Sequence, residues 1–69
     1  MEIIKINVFQ ELEKLREIKE NGFIINLEDC PFHQRTRIVD FFSGFTFLNG
    51  SMKKLNNHEL EIKIVKENA

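Results

Sequence analysis

Phe23–Leu27 (FIINL) is the segment that most narrows the fold. It lies between Asn21-Gly22 on one side and Glu28-Asp29-Cys30-Pro31 on the other, and only Asn26 interrupts its apolar character. A short apolar run without alternation, bounded by turn formers, suits an interior strand of a parallel pair. Parallel partners cannot be joined by a tight turn and need a crossover, usually helical and right-handed. The β-branched run Met1–Asn7 (MEIIKIN) also suits a strand. Between the two, Val8, Leu12, Leu15 and Ile18 (or Lys19) form one apolar stripe at three- and four-residue spacing. Glu11, Glu13, Lys14, Arg16, Glu17 and Glu20 fall on the wet faces of that helix. Asn7 is placed to cap it, with Gln10 completing a capping box. Asn21-Gly22 is placed to end it, the glycine taking a left-handed conformation.

The second half repeats the logic. Pro31 suits the first turn of a helix, where a missing N–H costs nothing. That helix is expected from about Phe32 to Leu48, with Ile38, Phe41, Phe42, Phe45 and Leu48 facing inward and Asn49-Gly50 as the stop. Ser51–Leu55 and Glu59–Val65 then read as a hairpin across Asn56-Asn57-His58. Leu60, Ile62 and Ile64 alternate with Glu59, Glu61 and Lys63, the period of a half-exposed strand. Lys66–Ala69 reads as a frayed tail. The expected architecture is α/β: a βαβαββ two-layer sandwich, two helices packed on one face of a four-stranded mixed sheet, in a single domain spanning 1–69.

Size makes this domain marginal. A 69-residue chain buries only about 60% of the surface its unfolded form exposes. Cys30 is the single cysteine, so no disulfide can form within one chain, and a partner subunit is the leading way to complete the core. A lone thiol fits a reducing compartment. Ten basic and eleven acidic residues are interspersed, with net charge −1. No basic stripe is available for nucleic acid. The chain has no apolar run of membrane-spanning length and no signal-peptide layout, so a soluble cytoplasmic protein is expected.

Few residues offer chemistry. Cys30 and His33 stand three apart at a helix mouth, where a thiol can be activated and an imidazole can take its proton. No third group orients the imidazole, and a buried hydrophobe-like cysteine between strand and helix explains Cys30 better. Zinc would need four ligands, and Cys30, His33 and His58 are the only Cys and His residues. Glu59 and Glu61 read as a solvated strand face. Phosphate-loop, dinucleotide and nucleophile-elbow motifs are absent. No catalytic residue, metal or cofactor is therefore assigned, and the chain is not expected to be an enzyme. Phe47 is a stronger signal. It shares the outer helix face with Asp40, Ser43 and Gly44, and a glycine there lets another backbone approach. These four residues are expected to form a dimer or assembly interface, most simply two helix faces meeting across a twofold axis.

Arg37-Ile38-Val39-Asp40-Phe41-Phe42-Ser43-Gly44, preceded by Asn26-Leu27 and followed by Asn49-Gly50-Ser51-Met52-Lys53-Lys54, resembles the conserved core of the SepF family of cell-division proteins. The resemblance covers nearly the whole chain. It implies a small α/β sandwich that dimerises, assembles further, and binds the C-terminal tail of the tubulin-like protein FtsZ at the division septum. It places that contact on the hairpin: Met52, Lys53, Lys54, Leu60 and Ile62. Lys54 matches the family's basic position, whereas Leu60 stands where an aromatic is usual. Cys30 falls where an aliphatic residue is usual. The amphipathic membrane-binding helix and linker that usually open family members are not seen, so no direct membrane contact is expected from this chain. A self-assembling α/β protein without FtsZ binding is the alternative.

Overall fold

The computed structural model describes residues 2–18 and 21–65. The element order is β1 (Glu2–Lys5), a 3-10 helix (Phe9–Glu17), β2 (Gly22–Asn26), α1 (Phe32–Asn49), β3 (Gly50–Lys54) and β4 (Glu59–Ile64). The four strands form one sheet in the order β1-β2-β4-β3. β1 and β2 run parallel, while β4 is antiparallel to both β2 and β3. This is the expected two-layer arrangement, with the interior strand Gly22–Asn26 paired on both sides. The tail Lys66–Ala69 and the alternative stripe residue Lys19 lie outside the described residues, as does the side chain of Leu48.

Strand alternation divides the sheet into two faces. Register puts Phe23, Ile62 and Met52 in one row, and Ile4, Ile25 and Leu60 in the next. Those rows face the helices and form the core with Ile6, Leu27, Cys30, Ile38 and Phe42. Phe9, Leu12, Leu15 and Ile18 of the first helical segment pack against the same cluster, so both helices cover one face. The other face carries Ile3, Ile24, Glu61 and Lys53 across the sheet, and Ile3 is 60% exposed.

The first helix departs from the expected α form. It is a nine-residue 3-10 helix, although such runs seldom exceed 3–4 residues. Nine residues rising ~2.0 Å each cover about 18 Å, against about 14 Å for an α-helix. The expected capping box is also replaced. Val8 stands at the N-cap without a side-chain cap; the Asn7 N–H donates to Glu11 Oε1 (3.1 Å) and the Phe9 N–H to Gln34 Oε1 of α1 (2.9 Å). Gln34 thus ties the two helices together at one end.

Two glycine readings change as well. No described residue lies in the left-handed φ region; Gly22 is extended and pairs with Lys63. Gly50, the residue after α1, is also extended (φ 168°), but here glycine is required by crowding. A Cβ on Gly50 would lie 1.8 Å from the Lys63 carbonyl oxygen.

The inward face of α1 is rotated from the expected one. Ile38 and Phe42 are fully buried, but Phe41 is 45% exposed and Thr46 takes the buried place. Thr46 Oγ1 donates to the Phe42 carbonyl (2.6 Å), so its hydroxyl enters the core already satisfied.

Candidate interaction surfaces

The β3–β4 hairpin is held by a polar turn. The Leu55 N–H donates to the Glu59 carbonyl (2.9 Å), the His58 N–H to Asn56 Oδ1 (2.8 Å), and Asn56 Nδ2 to Glu59 Oε1 (2.7 Å). Arg35 of α1 clamps this turn to the loop before the helix. Its guanidinium donates to the carbonyls of Cys30 (2.8 Å), Glu28 (3.2 Å) and Asn57 (3.3 Å), and lies 3.4 Å from His58 Nδ1. Nothing in the sequence singled out Arg35; its four partners come from two loops that meet only in the folded chain.

The five hairpin residues implied by the family resemblance divide between two environments. Lys53 and Lys54 are exposed on β3, an edge strand, and Met52 is half-buried. Leu60 and Ile62 are core residues, 8% and 0% exposed. Their alternation is that of a strand with one wet face, but α1 covers the apolar face. A partner approaching the hairpin therefore meets the lysines and the backbone edge of β3, not the Leu60 and Ile62 side chains.

On α1, Asp40, Ser43, Gly44 and Phe47 are all exposed, as expected of one outer face. Phe47 is 86% exposed, and Phe32, which the sequence reading did not single out, is 83% exposed. Its signal was available: fifteen residues separate the two rings, close to whole helical turns, so they share one side. No neighbour lies within 4 Å of the position a Gly44 Cβ would occupy.

A third surface was not foreseen. Between the 3-10 helix and α1 lies an apolar groove of about 630 Å³. Leu12, Leu15 and Ile18 form one wall, and Phe41 and Phe45 the other, above Phe23 and Ile64. The aromatic wall is ordered by its own contacts. Phe41 meets Phe9 and Phe42 edge-on, at 6.1 and 5.2 Å between centroids, and stacks on Phe45 at 6.2 Å. The Arg37 guanidinium sits 4.6 Å from the Phe9 ring centre, a cation–π contact at the same end. Gln10, Glu13 and Arg16 rim the groove. The helical wheel assigns Phe41 to the core; in the structure it is 45% exposed and lines this groove, held against Phe9.

Cys30 is 4% exposed. Burial pushes its thiol above the ordinary value, opposed by the nearby Arg35 charge and reinforced by Glu11. His33 is exposed. Among the described residues no three of His, Cys, Asp and Glu gather as metal ligands, and no helix is long and apolar enough to cross a membrane.

Comparison with models of known families, with curated proteins and with solved structures finds no match.

Proposed function

We propose that this chain is a non-enzymatic, self-associating protein-binding module of the SepF type. It would take the C-terminal tail of FtsZ and help organise the division ring at the septum. The family reading rests on the RIVDFFSG block and its flanks. The observation that carries the self-association is the outer face of α1. Phe47 is 86% exposed there, beside Gly44 and Ser43, and Phe32 is 83% exposed at the start of the same helix, in a domain whose size leaves its own core marginal. Exposed aromatic anchors of this kind are what protein interfaces bury.

The partner contact is best supported at the edge of β3. An edge strand offers unpaired backbone groups to an extended peptide, and Lys53 and Lys54 give that edge a positive charge suited to an acidic–apolar tail. Burial of Leu60 and Ile62 favours a second reading, an assembling protein without FtsZ binding. Titration of fluorescent FtsZ-tail peptide separates the two. Saturable binding weakened by Lys54→Glu supports tail recognition. Absence of binding at high micromolar peptide, with the protein folded and assembled, refutes it.

A further inference from the structure

We propose that the groove between the 3-10 helix and α1 receives the Asp40–Phe47 helix face of a second copy, so that the chain assembles head to tail. This rests on the self-association proposed above and names its receptor. One surface offers an exposed aromatic ring and the other an apolar groove with room for it. One is a projecting ring, 86% exposed, on a face otherwise built of Asp40, Ser43 and Gly44. The other is a groove of about 630 Å³ walled by Leu12, Leu15, Phe41 and Phe45, within the roughly 300–1,000 Å³ of clefts that take ligands. An entering phenylalanine meets rings already set edge-on and stacked, the geometries aromatic pairs prefer.

Charge favours the same docking. Asp40 lies two turns before Phe47 on the same stripe and takes part in none of the ion pairs among the described residues. Arg16 stands on the groove rim and Arg37 beside it, against Phe9. Glu13 shares the rim, so the acceptor is net basic by these groups. Gly44 presents no side chain to hold the incoming helix away.

Position on the helix decides the symmetry. At about 100° per residue, Phe47 points roughly 120° away from Phe41 and 160° from Phe45. Knob and groove therefore lie on different sides of α1. A contact between two different patches is heterologous; it leaves a free knob at one end and a free groove at the other, and growth continues unless a ring closes. The twofold pairing of helix faces expected from the sequence would instead stop at a dimer.

Sedimentation velocity on single variants and their mixture tests this. Phe47→Ala removes the knob and keeps the groove; Phe41→Glu spoils the groove and keeps the knob. Each alone is expected to be monomeric where wild type grows beyond dimers, and an equimolar mixture is expected to form a single 1:1 complex of twice the monomer mass. Arg16→Glu, an exposed change, provides a groove variant that spares the core if Phe41→Glu does not fold. It should weaken assembly roughly fivefold, the scale of one exposed ion pair, and Asp40→Arg should restore it. Assembly of both groove variants at wild-type strength overturns the contact while leaving self-association intact. A wild-type chain that stays monomeric at millimolar concentration overturns both.

Discussion

The same substitution at two glycines should act with opposite sign. Gly50 links α1 to β3 and pairs with Ile64. A methyl group there would sit 1.8 Å from the Lys63 carbonyl oxygen, 2.8 Å from its carbon and 3.0 Å from Ile64 Cα. All three contacts are backbone, so no side chain can rotate aside. Alanine at 50 must push β3 off β4 by about 1 Å or more, taking the Gly50–Ile64 pairing and the adjoining Val65 N–H to Asn49 carbonyl bond with it. Two backbone hydrogen bonds at about 0.5–1.5 kcal/mol each, with some loss of packing at Ile64, give a cost of about 2–4 kcal/mol. A chain of this length holds about 3–10 kcal/mol in all, so the melting midpoint of Gly50→Ala should fall by roughly 10–25 °C.

Gly44 is the internal control. It lies within α1, and a Cβ there meets nothing within 4 Å. Alanine restores helix propensity worth about 0.5–1 kcal/mol, raising the midpoint by roughly 3–7 °C. Thermal unfolding followed by circular dichroism at low micromolar concentration reads both variants before assembly intervenes. A Gly50→Ala chain that melts with wild type would refute the crowding argument. A Gly44→Ala chain that melts lower would show that the position is packed rather than open.

Two further outcomes follow from titratable groups. Cys30 is buried and its thiol raised by desolvation, so alkylation at neutral pH should be slow and accelerate with urea in step with unfolding; fast labelling of the native chain would contradict its burial. Glu11 is held below its ordinary 4.5 chiefly by its hydrogen bond with Lys14, and also accepts from the Asn7 N–H. Because its folded value is depressed, its contribution is present above the unfolded value and lost as pH falls through the folded one. NMR titration should show the Glu11 carboxyl protonating below its ordinary value, and Lys14→Ala should move that midpoint back up; an unchanged midpoint in Lys14→Ala would contradict the assignment.

Periodicity carried the fold further than the surfaces. Phe23–Leu27 announced an interior strand because its apolar run had no alternation, and Leu60-Ile62-Ile64 announced a strand with one wet face. Both follow from backbone geometry alone. The 3-10 form of the first helix was not legible. Val8, Leu12, Leu15 and Ile18 satisfy an α-helical stripe, and that spacing does not distinguish the two helix forms. The wheel also placed Phe41 inside, whereas it is 45% exposed and lines the groove. Thr46 was missed for a different reason: its hydroxyl is satisfied by the carbonyl one turn back, so a residue that reads as polar behaves in the core as an apolar one.

The hairpin residues show how a surface expectation and a core position can be told apart by experiment. Leu60 is 8% exposed and sits opposite Ile25 and Lys54 in the sheet. Truncating a buried leucine costs about 2–5 kcal/mol. Lys54 is exposed, and reversing its charge should move stability by only about 0.5 kcal/mol. The two substitutions therefore dissociate the two roles. Leu60→Ala should lower the denaturation midpoint steeply, yet leave the peptide affinity of the folded fraction unchanged. Lys54→Glu should do the reverse. Parallel urea denaturation and peptide titration on both variants decide the matter. If Leu60→Ala lowers affinity at full occupancy of the folded state, the peptide reaches beneath α1 and the edge-strand route is wrong. If Lys54→Glu changes neither quantity, the edge of β3 is not where the tail lies.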